Sequence, residues 1–268
     1  MVQESYIKVS DISVISLSGG IDSTSLLLKV LSKKTKVYAL TFDYGQKHNI
    51  EVKKSKFIVK YLKENDFIVN HKIIDISDCV DILDSSLTNP SLEVPKGYYE
   101  EQNMLSTVVP NRNAIFTSIL YGYALTLSKE HINKNINICL GVHSGDHTIY
   151  PDCRQDFYDI LIKAFEKGNW DTDNVHLYLP YINSNKASIL KDAIESSNKL
   201  KVSFNTIFKN TITSYEPNKD GISKGTTGSD IERILAFDEI GIEDPLKYHD
   251  CWEIVLGKAK ELERKFKN

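Results

Sequence analysis

Ile12-Ser13-Val14-Ile15-Ser16-Leu17-Ser18-Gly19-Gly20-Ile21-Asp22-Ser23-Thr24-Ser25-Leu26-Leu27-Leu28 passes from a β-rich run, through two glycines, into an apolar helical run. That order predicts a strand, a tight turn and a helix. The glycines permit backbone conformations and close approaches that a side chain would block. Ser23 and Thr24 are expected to cap the helix, whose first N–H groups have no internal partner. Unpaired N–H groups and the positive end of the helix dipole together favour an anion. No lysine follows the glycines as a Walker loop requires, and the spacing is not that of a dinucleotide fingerprint.

Working outward, Lys36–Phe42 reads as a second strand, Ile50–Leu62 as a helix with Val52, Phe57, Ile58 and Tyr61 facing the core, and Phe67–Ile76 as a third strand. This β-α-β-α-β alternation is the signature of a parallel sheet covered by helices on both faces. Residues 77–107 are polar, contain Pro90, Pro95 and Gly97, and read as a long lid-like loop. Helices follow at 114–127, 155–167 and 186–196, and strands at 136–142 and 175–179, with Asn183 or Ser184 as candidate caps for the helix at 186. The polar clusters Ser18–Thr24, Asp43–His48 and Gly141–Asp146 all fall at strand ends, where open parallel sheets bind ligands.

Composition narrows the class. Hydrophobic residues make up 41% and charged residues 26% of the 268, with a net charge of −3. These values suit a globular protein and give no global sign of a nucleic-acid or membrane partner. No basic-then-apolar leader and no run of about 20 apolar residues is present, so a cytoplasmic location is expected. Cys79, Cys139, Cys153 and Cys251 are too dispersed for a C-x-x-C pair.

The turn Ser18-Gly19-Gly20-Ile21-Asp22-Ser23-Thr24 resembles the pyrophosphate loop of the PP-loop ATP-pyrophosphatases. Thr41-Phe42-Asp43-Tyr44-Gly45-Gln46, Glu93-Val94-Pro95, Val109-Pro110-Asn111-Arg112-Asn113, Tyr150-Pro151-Asp152-Cys153-Arg154 and Asn185-Lys186-Ala187 follow in order. Together these strings, from about residue 12 to Asp244-Pro245, make the chain similar to the QueC family of 7-cyano-7-deazaguanine synthases.

The resemblance implies a Rossmann-like PP-loop α/β fold over residues 1–203, with the lid-like insertion, and a small C-terminal helical extension over 204–268. It implies a homodimer, ATP with Mg²⁺, and 7-carboxy-7-deazaguanine as substrate. In the family the carboxylate is adenylated, ammonia displaces AMP to give an amide, and a second ATP leads to the nitrile. Asp22 is then the magnesium anchor, and Asp22, Ser23, Arg112 and Lys186 carry catalysis. Ser18, Gly19, Gly20, Asp22, Ser23, Thr24, Thr41 and Phe42 hold ATP. Asp43, Tyr44, Gln46, Asn111, Arg112, Asn113, Tyr150, Asp152 and Arg154 hold the deazaguanine. Each has a plainer reading: Arg112 pairs with an acid, Asp152 caps the helix at 155, Lys186 is a solvated first-turn residue. Cys153 reads as a buried small side chain, and His48 and His143 as structural or rim groups.

The chain departs from the family at its C-terminal zinc knuckle, where Ser214, Lys224, Thr227 and Asp230 stand in place of four cysteines. Hydroxyls and a charged lysine are poor zinc ligands, so no zinc is expected. Either other interactions replace the metal and the reaction is unchanged, or the chain has diverged. QueC-like proteins of antiviral operons, including CBASS systems, join the activated deazaguanine to a protein amine. The altered loop could admit a polypeptide end, and on that ground the sequence favours a protein acceptor over ammonia in queuosine biosynthesis. A nucleotide-binding module without turnover is a further alternative, opposed by the retention of Asp22, Ser23 and Arg112.

Overall fold

Strand β1 (Ile12–Ser16) is the centre of the sheet, and its residues alternate between two apolar layers. Ile15 faces one layer and Val14 the other, as the two-residue period of a strand demands. The structure, a computed structural model, describes residues 11–45, 50–83, 85–88, 102–143, 145, 150–214 and 222–267.

β1 leads through the glycine turn to α1 (Ile21–Ser32), then β2 (Lys36–Asp43), α2 (Ile50–Glu64) and β3 (Val69–Asp75). A single helical turn, α3 (Ser77–Val80), and a 3-10 segment (Gln102–Thr107) lie within the stretch read as a lid, part of which is outside the described residues. α4 (Arg112–Glu130), β4 (Ile136–Cys139), a 3-10 turn (Pro151–Cys153), α5 (Gln155–Gly168), β5 (Val175–Tyr178) and α6 (Lys186–Leu200) follow. The chain then forms α7 (Phe204–Phe208), α8 (Gly228–Glu239) and α9 (Trp252–Lys267).

All strand pairs are parallel, in the order β3-β2-β1-β4-β5. The α/β fold expected from the alternating pattern is therefore present. α1, α2 and α6 cover one face with Leu26, Ile58 and Leu190, and α4 and α5 cover the other with Leu120, Tyr121 and Tyr158. Strand order reverses between β1 and β4, so a crevice opens beyond their carboxyl ends. A separate apolar cluster, including Ile231, Ile234, Tyr248 and Val255, joins α8 to α9. No helix among the described residues is long and apolar enough to cross a membrane.

Three local expectations are corrected. Phe57 is 39% exposed, while Val52 and Ile58 are buried as the helical period requires. Neither Ser23 nor Thr24 caps α1: the N-cap is Gly20, without a side-chain cap, and both hydroxyl residues lie inside the first turn. α6 is capped by Asn185, whose side chain accepts from the Ser188 N–H at 2.8 Å, and not by Asn183 or Ser184.

The glycine turn is fixed by tight backbone approach. Gly19 has φ +87°, and a Cβ there would stand 2.8 Å from the Glu51 carbonyl oxygen and 2.9 Å from the Ser55 nitrogen. Its carbonyl accepts from the Ile212 N–H at 3.0 Å, which ties the C-terminal segment to the turn. Gly19→Ala combines left-handed strain with a backbone clash and is expected to destabilise the fold by about 2 kcal/mol or more. Urea denaturation of the variant beside the wild type checks this.

Candidate active site

The turn after β1 closes on itself through its serines. Ser23 Oγ accepts from the Ser18 N–H at 3.2 Å and lies 3.0 Å from Ser18 Oγ, which in turn accepts from the Gly20 N–H at 3.2 Å. This arrangement leaves the first turn of α1 without a side-chain cap and facing the crevice. Gly141, just past β4, packs beneath it: a Cβ there would meet the Asp22 carbonyl carbon at 3.0 Å and the Ser23 nitrogen at 3.1 Å.

An open cleft lies over the turn. Ser18, Gly20, Asp22 and Ser23 line it together with Tyr44, Glu51, Arg112, Asn113, Phe116 and Cys153. The left-handed conformation of Asn111, φ 60° and ψ 12°, turns the chain into α4 so that Arg112 and Asn113 open the helix at the cleft. The Arg112 guanidinium carbon lies 5.9 Å from the Tyr44 ring centre and 6.0 Å from that of Tyr150. The two tyrosines thus flank the cation. Tyr150 is buried and its hydroxyl shares a 2.6 Å hydrogen bond with Thr107.

Other expected site residues stand further back. The Thr41 hydroxyl donates to the Leu17 carbonyl at 2.6 Å, and Phe42 is buried against Phe116 with ring centres 4.2 Å apart, nearly parallel. Thr24 is fully buried beneath the turn. Asp43 closes the end of β2, where its carbonyl accepts from the Ile76 N–H. Asp152 does not cap α5; its Oδ2 accepts from the Asn113 N–H at 3.4 Å, and Arg154 is the N-cap. Gln46 and His48 fall outside the described residues.

Lys186 is not a solvated first-turn residue. It is 5% exposed, with Nζ 3.5 Å from Asp22 Oδ2 and 2.7 Å from Glu232 Oε2. His143, 1% exposed, sits in the same corner. Asp22 Oδ1 is buried and has no hydrogen-bond partner among the described residues. A buried, unsatisfied carboxylate oxygen beside a phosphate-sized recess fits a hard cation such as Mg²⁺, so the residues present are compatible with the metal that the fold implies.

The region in place of the zinc knuckle has a different chemistry. Asp230 Oδ2 accepts from Ser214 Oγ at 3.0 Å, Thr227 Oγ1 at 2.6 Å and the Thr227 N–H at 3.3 Å, completing a capping box at the start of α8. Ser223 Oγ donates to Ser214 Oγ at 3.3 Å, and Lys224 is exposed. One hydrogen-bonded carboxylate among hydroxyls does not fit zinc, which is held by thiolates and imidazoles. Next to it, the wholly buried Arg233 forks onto Asp244, with Nε–Oδ2 2.5 Å and Nη2–Oδ1 2.8 Å, and donates to Thr211 and Phe208.

Glu51, Phe116 and Glu232 escaped the sequence reading. Phe116 lies one helical turn beyond Arg112 and shares its face, a signal that spacing alone carries. Glu51 is one more charge in the first turn of α2, and nothing local marks Glu232. Burial pushes the Glu51 carboxyl up to about 7, against the opposing pull of Arg112. A folded-state pKa above the unfolded value of about 4.3 means that stability falls as pH rises between the two. Glu51→Gln is therefore expected to raise Tm over the wild type at pH 8, and by less at pH 5, in paired thermal melts.

The family model described as "Queuosine biosynthesis protein QueC" matches residues 12–241. "7-cyano-7-deazaguanine synthase 2" of Colwellia psychrerythraea is 39% identical over 88% of this chain and 97% of its own length. The enzymes named 7-cyano-7-deazaguanine synthase from Psychromonas ingrahamii and Caldicellulosiruptor saccharolyticus are each 38% identical, over 88% of this chain and 97% and 95% of their own lengths.

Proposed function

The chain belongs to the QueC family, and we propose that it is an ATP-dependent synthase that converts 7-carboxy-7-deazaguanine and ammonia to 7-cyano-7-deazaguanine. The observation that carries the reading is a single cleft lined both by the serine-glycine turn with Asp22 and by Tyr44, Arg112 and Asn113. The turn suits phosphates; the cation beside two aromatic rings suits a planar acid.

A carboxylate oxygen attacks the α-phosphorus of ATP. The α–β bridging bond breaks, and pyrophosphate leaves with the charge. The serine hydroxyls, the uncapped first turn of α1 and the Lys186 ammonium face that developing charge. Bound at Asp22, Mg²⁺ would supply further neutralisation of phosphate oxygens. Arg112, braced by two rings, orients the acid. Ammonia then adds to the acyl carbon, the C–O bond to AMP breaks, and the nitrogen sheds a proton. Glu51, whose carboxyl burial pushes up to about 7, lines the cleft and is assigned the role of taking it. A second ATP activates the amide oxygen in the same way; departure of AMP and loss of the remaining N–H protons leave the nitrile.

Relatives named for the nitrile product favour ammonia as the acceptor, and the matches give no support to a protein acceptor or an antiviral conjugation system. The hydroxyl network around Asp230 also supplies a structural replacement for the knuckle cysteines, which removes the main reason for invoking divergence. Residues 1–203 are read as the nucleotide-binding domain and 204–268 as an extension that reaches its site through Glu232.

Incubation with MgATP, 7-carboxy-7-deazaguanine and ammonium is expected to yield the nitrile with two AMP released per product. AMP and amide without nitrile, or no turnover, would overturn the reading. Glu51→Gln is expected to retain carboxylate-dependent ATP–pyrophosphate exchange while slowing amide formation by about a hundredfold. Equal loss of both steps would remove Glu51 from proton transfer.

A further inference from the structure

Helix α8 carries two acids two positions apart that enter different surroundings. Asp230 holds the hydroxyl network, whereas Glu232 reaches into the corner between α1 and α6. There it lies closer to Lys186 Nζ, at 2.7 Å, than Asp22 does at 3.5 Å. Burial would raise the Glu232 carboxyl, but Lys186 and His143 outweigh it and hold it below the usual range, so the side chain is an anion. His143 is packed into the same corner, Nε2 3.7 Å from Asp22 Oδ2 and Nδ1 4.0 Å from Glu232 Oε1. The Gly145 N–H lies 3.1 Å from Nδ1 and donates to it. A Cβ on Gly145 would stand 2.5 Å from Glu232 Oε1, so the Gly145 backbone packs against the Glu232 carboxylate.

A lysine has a long, freely rotating stem, and beside a lone buried carboxylate it folds onto that carboxylate. Among the described residues, the other acid within reach of Lys186 in this corner is Asp22. A Lys186–Asp22 pair closer than the present 3.5 Å would more fully neutralise the residue whose other oxygen is buried without a hydrogen-bond partner among the described residues and fits a hard cation.

We propose that Glu232 is a positioning residue for nucleotide binding: it holds the Lys186 ammonium off Asp22, so that Lys186 meets the entering phosphates and Asp22 keeps a carboxylate for the cation that accompanies them. The inference rests on the reading of the cleft as an MgATP site. It assigns the C-terminal extension a direct part in that site, because the residue that sets the lysine is supplied by α8.

Calorimetric binding of a non-hydrolysable ATP analogue, titrated with Mg²⁺, tests this on the full chain without relying on turnover. Glu232→Gln is expected to raise the Mg²⁺ concentration needed for half-maximal nucleotide binding by roughly tenfold or more, with a smaller change in metal-free nucleotide affinity. Lys186→Met is expected to weaken nucleotide binding itself, and adding Glu232→Gln to it should have no further effect, because the glutamate acts through the lysine. A Mg²⁺ requirement within twofold of wild type, or effects that multiply in the double variant, would overturn the proposal. Glu232→Asp, which keeps the charge, is expected to restore most of the Mg²⁺ response and serves as the test if the glutamine variant does not fold. Failure of the wild type to bind MgATP overturns the reading of the cleft and this inference with it; equal binding by wild type and Glu232→Gln overturns the inference alone.

Discussion

The rest of the structure depends on how closely other backbone segments approach the turn after β1. The first turn of α2 presses on Gly19, the segment at Ile212 presses on Gly20, and the end of β4 passes beneath Asp22 and Ser23 at Gly141. At Gly19 the approach leaves no room for a side chain; at Gly20 and Gly141 a Cβ would require the neighbouring backbone to yield by a few tenths of an ångström. The turn cannot relax to cap its own helix, because the Ser23 hydroxyl is already committed to Ser18. A recess with helix-dipole character is thereby held open by packing. Such preorganisation is what a site that stabilises departing phosphate charge requires.

The C-terminal segment solves a different problem. A buried arginine is costly unless every donor finds an acceptor. Arg233 finds Asp244 twice, together with Thr211, Thr213 and the Phe208 carbonyl, while the Tyr248 hydroxyl donates to the same carboxylate at 2.7 Å. This cluster anchors the middle of α8 to the segment around Phe208 and Asp244, and the Asp230 hydroxyl network anchors its start. A region whose relatives in sequence pattern would be held by metal–thiolate bonds is held here by directional hydrogen bonds. Glu232 lies between the two anchors, and its aim depends on both.

The sheet was legible because the sequence states it locally. Val37, Ala39 and Ile12 alternate or run continuously where strands are buried, and Leu26, Ile58 and Leu120 repeat at helical spacing. The turn that suits phosphates was legible for the same reason: Ser18 to Ser23 form one short stretch whose chemistry is self-contained. The lining that suits the acid was legible only in part. Arg112 and Asn113 stood out, but Glu51 and Phe116 matter through what they face across the crevice, which no single segment records. Phe42 was expected against a base, yet the space beside it is filled by Phe116. Lys186 and Glu232 lie on helices that meet only in three dimensions, so their partnership had no trace in either local sequence.

The hydrogen bond from the Ile212 N–H to the Gly19 carbonyl has a consequence in time. The strand and turn that form one wall of the cleft leave the ribosome early, while the segment that closes over them, and the helix that brings Glu232, arrive late. A growing chain therefore displays an incomplete recess throughout most of its synthesis. The finished recess needs those late segments, so a polypeptide stalled before them has no complete chamber in which to cleave ATP to no purpose.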